Sequence, residues 1–393
     1  MGSFYANQNH KDDVSWVFFA LGAKPTSSRR EVAERIAENE FVVIIDRPIS
    51  VVRDRKAPLL KERCNHLTGE KGSRHYRPLH YPERLPGLGR ITKLMNRVRL
   101  QQELNRLLPR DCKRIVCFDS PTQDHLVGKL GEDISIYLAI DDKTLTVWGE
   151  PIHGELEAEK RLLSKVDKAV CVSETLAEVL RSRVPNGRTL PIQVLPNAYD
   201  ERIFDPKKDY AEPTSIADIP RPRILVAGHV SERIDWEGII RVSQLRPNWH
   251  WAFVGPADSG MKERIASKLC GHGFYHPEIP VSEVPSWIAH SDVCAVPYRL
   301  NAFTLCSNPL KAIEYLAMGA PVLSTKIPSL ERYHGVIEWV NEGDGESYAK
   351  VLDAFTNQLG HREVEAFRQR AVAGDSWGIR ANQFKGIVVN GIP

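Results

Sequence analysis

Lys311 and Glu314 stand three residues apart in "TLCSNPLKAIEYLAMGAPVLST" (304–325), a stretch holding a helix start, a glycine stop and a β-branched strand. That spacing puts both side chains on one helix face. Asn308 suits the cap of this helix, and Pro309 suits its first position, where a missing N–H costs nothing. The free N–H groups of Leu310 and Lys311, with the helix dipole, then favour an anion. A lysine and backbone amides suit phosphate, and a carboxylate one turn further suits a sugar diol. Together they describe a nucleoside-diphosphate site; a plain surface ion pair is the simpler alternative. "ILVAGHVSERIDW" (224–236) adds Gly228 for close backbone approach, with Ser231 and Arg233 to reach a diphosphate, the arginine by a forked contact. The loop hydroxyls Thr304 and Ser307 complete the donor side. Asp141 and Asp142 end the run "ISIYLAIDD" and are the candidate catalytic carboxylates. Neighbouring strand residues point to opposite faces, so one of the two reaches a cleft. Two adjacent carboxylates without further ligands make an incomplete metal site, so no metal is expected. His153 and His229 are alternative bases with a structural role favoured. Arg29, at the start of the first helix, either touches an acceptor or caps that helix, and the first reading is preferred.

The elements that must position these residues alternate along the chain. "WVFFALG" (16–22), "FVVIID" (41–46), "RIVCFD" (114–119), "ISIYLAID" (134–141), "KAVCVS" (168–173) and "IQVLPN" (192–197) read as buried parallel strands. Helical spacing lies between them at 28–39, 122–131 and 174–184. A second series follows the Pro-, Asp- and Ser-containing linker 204–222. Its strands are expected at 223–228, 249–255, 292–298, 321–325 and 336–340, with helices near 235–245, 259–270, 283–290, 309–318 and 346–358. This predicts an α/β fold of two Rossmann-like domains facing across a cleft. The expected division is 1–210, 211–375 and a terminal helix within 376–393.

Composition fits a globular protein and excludes several classes. No apolar run approaches the ~20 residues of a membrane-spanning helix. The polar start "MGSFYANQNHKDD" is unlike a secretory signal, and Ala6 stands where myristoylation needs Ser or Thr. The seven cysteines form no C-x-x-C pair, which argues for a reducing, cytoplasmic setting. "PGLGR" (86–90) follows no strand and reads as a turn, and no G-x-S-x-G elbow is present. The net charge is only +3, yet residues 53–114 carry five Lys and twelve Arg against two Asp and four Glu. That excess favours an anionic partner, and the scarcity of aromatics there argues against single-stranded nucleic acid.

On these residues the sequence resembles the nucleotide-sugar-dependent glycosyltransferases of the GT-B architecture, family 4-like, of the bacterial cell-surface polysaccharide or teichuronic-acid type. "IYLAIDD" (136–142), "VDKAVCVSETLAEVL" (166–180), "VLPNAYDERIF" (194–204), "AGHVSERIDW" (227–236) and above all "VPYRLNAFTLCSNPLKAIEYLAMGAPVLST" (296–325) carry the resemblance. It implies a metal-independent hexosyltransferase-like enzyme without a cofactor, whose donor is a UDP- or GDP-sugar. Its acceptor is a glycan or lipid-linked molecule, and its last helix crosses back onto the first domain. The resemblance gives Glu314 a ribose-binding role. Many retaining relatives carry a second glutamate eight positions earlier, where this chain has Cys306, which leaves retention or inversion open. Gly228, Ser231, Arg233, Thr304, Ser307, Asn308, Lys311 and Glu314 form the expected donor site, Asp141 and Asp142 the catalytic pair, and Arg29 the acceptor contact. The basic segment 53–114 is expected to hold the acceptor beside an anionic membrane at its cytoplasmic face. A nucleotide-sugar epimerase of the same fold and a non-enzymatic nucleic-acid binder using 53–114 are the rival readings.

Overall fold

The computed structural model describes residues 14–20, 28–46, 48–50, 64–68, 72–81, 89–356 and 362–389. The first sheet is built from β1 (Val14–Phe19), β2 (Phe41–Ile45), β4 (Cys64–Thr68), β5 (Ser73–Tyr76), β7 (Lys113–Phe118), β8 (Ile134–Ala139), β9 (Lys168–Cys171) and β10 (Ile192–Val194). β3 (Ile49–Ser50) and β6 (Leu79–His80) pair separately. The order is β10-β9-β8-β7-β1-β2-β5-β4, parallel except where β4 runs against β5. Val17 lies in register with Val43 and Val116, and all three are fully buried. Burial on both faces is why these strands read as continuous apolar runs.

The second sheet holds β11 (Arg223–Ala227), β12 (His250–Val254), β13 (Gly273–His276), β14 (Val293–Val296), β15 (Val322–Thr325) and β16 (Ile337–Val340). Its order, β13-β12-β11-β14-β15-β16, is the dinucleotide-fold order, all parallel, reversing between β11 and β14. Ligand crevices form beyond the carboxyl ends of the strands at such a reversal. The helix Trp377–Val389 crosses to the first sheet. Trp377, Ala381, Phe384 and Val388 are buried in one cluster with Trp16, Phe18, Val32 and Ile36. The Phe384 ring lies 5.7 Å from Trp16 and 5.9 Å from Phe18. The expected fold, including this crossing helix, is present.

Local expectations fare less evenly. The helix expected at 122–131 is only a short 3₁₀ turn, Pro121–His125. Gly128 and Gly131 take φ of 74° and 72°, which a helix cannot continue through. Five helices were not expected: Gly89–Leu107, Glu155–Leu163, Thr214–Ala217, Ala302–Cys306 and Arg362–Ala371. The N-terminal Met1–Asp13, and with it the reading of Ala6, lies outside the described residues, as do 53–63, 69–71 and 82–88 of the basic segment. Among the described residues no helix is long and apolar enough to cross a membrane.

Candidate active site

Two glycine turns make the floor of the crevice. Gly228 follows β11 with φ 132° and Gly255 follows β12 with φ 141°. A Cβ on Gly255 would come within 2.0 Å of the Gly228 carbonyl oxygen, so the turns can meet only as glycine. With the loop after β13 they wall a pocket of about 1390 Å³ open to solvent, lined by Gly228, His229, Gly255, Ile279, Val281 and Lys311. His229 turns its Nε2 to Asp258, 2.8 Å away. Through Gly228, Leu310 and Lys311 this space continues into a second trough of about 670 Å³.

The second trough gathers residues from both halves of the chain. Asp141 comes from the first, and Gly228, Arg233, Thr304, Ser307, Asn308 and Lys311 come from the second. The Arg233 guanidinium lies 4.7 Å over the Tyr298 ring. Its Nε is buried with no hydrogen-bond partner, as is the Ser231 hydroxyl. Lys311 Nζ donates to Glu314 at 2.6 Å on the helix Leu310–Ala317. Glu314 is buried, and burial pushes its carboxyl above the usual range against the pull of Lys311. The first-turn amides of that helix have no intrahelical partner to bond. Thr304 and Ser307 are committed locally: the Thr304 hydroxyl donates to the Arg299 carbonyl at 2.5 Å and the Ser307 hydroxyl to the Thr304 carbonyl at 2.7 Å. They shape the wall.

Asn308 does not cap the helix, which is a correction. The cap position is Pro309, with no side-chain bond. The Asn308 side-chain oxygen instead accepts from the Asn197 backbone N–H at 2.8 Å, and its carbonyl accepts from Asn197 Nδ2 at 2.6 Å. Buried between the two halves, its amide finds partners in the other half's chain and ties them together. Ser173 makes a second tie, donating to the Cys306 carbonyl at 2.6 Å. Cys306 itself is packed into the first core, and burial pushes its thiol up to about 11.

Asp141 and Asp142 part as the strand geometry requires. Asp141 keeps 32% of its side chain open. Enclosure by protein holds its carboxyl above the usual range despite Lys143, Arg233 and Arg29. Asp142 is buried and faces inward, gripped by Arg183 at 2.9 and 2.8 Å and by the Thr144 hydroxyl at 2.7 Å. Burial pushes it up, but those bonds outweigh burial and hold it low. Arg29 is also buried, donating to the Asp119 carboxylate at 2.5 Å just beyond β7. His153 is exposed. Tyr298, Phe303 and the Asn197 link were not singled out, although Tyr298 and Phe303 lie in the quoted 296–325 stretch and Asn197 in "VLPN".

Comparison with known proteins gives a concordant picture. Residues 221–357 match the family model "Glycosyl transferases group 1". The "Putative teichuronic acid biosynthesis glycosyltransferase TuaH" of Bacillus subtilis is 22% identical over 310 residues, which cover 74% of this chain and 76% of that protein. Sucrose-phosphate synthase from Thermosynechococcus elongatus superposes with a TM-score of 0.72 at 14% identity, covering 96% of this chain and 98% of that one. Anabaena HepE, in complex with UDP and glucose, superposes with a TM-score of 0.63 at 12% identity, covering 96% and 100%. The second half of the chain thus carries a glycosyl transferases group 1 domain, and the protein is a glycosyltransferase of GT-B architecture.

Proposed function

We propose that this enzyme moves a sugar from a UDP- or GDP-sugar to a glycan or lipid-linked acceptor in the building of a surface polysaccharide. The observation that carries the proposal is the convergence of Lys311 and Arg233 with Asp141 on one trough. In this reading the base takes the wider space between the Gly228 and Gly255 turns and the 278–281 loop, with Glu314 receiving the ribose hydroxyls. The diphosphate lies over the amides of Leu310 and Lys311, with the Lys311 ammonium on one side and the Arg233 fork on the other. As the bond from the anomeric carbon to the diphosphate oxygen breaks, negative charge grows on the departing group. Pre-aimed cations and amides stabilise that charge more than they stabilise the bound donor. Asp141, rather than Asp142, takes the proton of the attacking hydroxyl. Arg29 acts through Asp141, steadying its charge from behind.

The surface-polysaccharide role is supported by the teichuronic-acid name of the B. subtilis relative, and uridine as the base by the UDP held in HepE. In the proposed division, 1–210 receives the acceptor, 211–375 holds the donor and the helix within 376–393 clasps the first unit. The positive excess of 53–114 supports an acceptor presented at an anionic surface.

The test is release of nucleoside diphosphate from UDP- and GDP-sugars with a membrane-lipid extract as acceptor source. Wild type is expected to release one of the two, and Asp141→Asn to lower that rate by roughly 10²–10⁴-fold. No release from any donor, or equal release by the variant, contradicts the proposal.

A further inference from the structure

The helix Gly89–Leu107 carries apolar residues on two opposite faces. Thr92, Leu100, Leu104 and Leu107 are buried, the leucines in the core of the first sheet. At 100° per residue, Ile91, Leu94, Met95 and Val98 fall together on the far side. They are 54%, 50%, 42% and 38% exposed, four of the eleven exposed large apolar side chains among the described residues. Four such residues within about 10 Å of helix make a patch rather than scattered exposure. Its rim is cationic: Arg90 and Arg97 border it on one side and Arg99 on the other, while Lys93 lies round on the side of the buried leucines. Arg90, Lys93 and Arg97 pair with no acid among the described residues, and no Asp or Glu occurs between residues 84 and 102. Arg99 reaches the Tyr81 hydroxyl at 3.0 Å and leans over its ring.

An apolar stripe bordered by unpaired cations has one complementary surface: a plane with negative charge outside and hydrocarbon just beneath. We propose that this face of the Gly89–Leu107 helix seats the enzyme on an anionic lipid bilayer, with Ile91, Leu94, Met95 and Val98 entering the acyl boundary and Arg90 and Arg97 meeting the headgroups. Three of the helix's seven apolar side chains hold it to its own sheet, and the other four are left for the membrane. The inference deepens the reading of an acceptor presented at an anionic surface and is independent of the donor site.

Flotation with phosphatidylcholine vesicles, with and without about one-third phosphatidylglycerol, tests it. Wild type is expected to partition at least tenfold better onto the anionic vesicles, and to lose that preference as salt rises. Leu94→Glu with Met95→Glu is expected to lower partitioning at least tenfold. Arg90→Gln with Arg97→Gln is expected to lower it about fivefold per cation removed. Both variants should keep the wild-type melting temperature and nucleotide affinity, which separates failure of this idea from failure of the donor reading. Wild type indifferent to phosphatidylglycerol, or variants that float as well as wild type, would overturn the proposal. So would a solution dimer that the Leu94/Met95 variant splits without any vesicle binding, because the face would then be a protein interface.

Discussion

Asp141 and Asp142 are joined by one peptide bond yet sit in opposite surroundings. Asp142 belongs to a buried cluster in which Arg183 also grips Glu159 at 2.6 Å, and Glu159 accepts from the Tyr137 hydroxyl at 2.7 Å. Arg183→Ala would strand two buried carboxylates and is expected to cost about 3–5 kcal/mol in urea unfolding. Asp141→Asn, on the open side, should change stability by less than about 1 kcal/mol. Its signature is in the pH profile instead. Because its carboxyl is raised, wild-type activity should fall on acidification from above the ordinary aspartate value. The residual activity of Asp141→Asn should lack that limb. Lys311 and Glu314 were legible in sequence because the helix period alone brings them together. Asn308 was misread because its true partner, Asn197, lies 111 positions away, and no local rule reports such a contact.

Among the elements, β5 carries an ion cluster that the sequence did not announce. His75 Nδ1 lies 3.0 Å from Asp46, at the end of β2, and Nε2 lies 2.8 Å from Glu34 on the helix Ser28–Ala37. Hydrogen bonds to Asp46 and Glu34 raise its pKa to about 9, against the opposing pull of burial. A histidine raised on folding gives stability that is complete below about pH 6.5 and is lost as pH climbs through about 9. The unfolding free energy from urea titration should therefore drop across that window by roughly 3 kcal/mol. His75→Gln should flatten the drop. Most strands were readable from their apolar runs because parallel strands are buried on both faces, whereas the short or polar β3, β4, β5, β6 and β13 carry no such run and were not expected. Two of the unexpected helices show why a pattern can hide. Gly89–Leu107 is apolar on two faces and so shows no single stripe, while five of the nine residues in Glu155–Leu163 are charged.

The molecule as a whole has two large open sheets joined at few points, with the residues lining the trough divided between them. Asn197 with Asn308, Ser173 with Cys306, and the crossing helix hold the halves in register. Phe384→Ala removes the ring that packs on Trp16 and Phe18 and is expected to cost about 3 kcal/mol. It should also expose apolar surface to a dye that fluoresces on binding it. The central claim is that a nucleoside diphosphate bridges the amides of the Leu310–Ala317 helix and Arg233. Calorimetric titration of UDP and GDP into wild type and Arg233→Ala tests it most directly, since that arginine makes no ion pair among the described residues whose loss would confuse the result. The account predicts that one of the two nucleotides binds wild type and binds the variant roughly 10–100-fold more weakly, as loss of a charged hydrogen-bonding partner should do. Binding of neither nucleotide, or equal binding to both proteins, would contradict it.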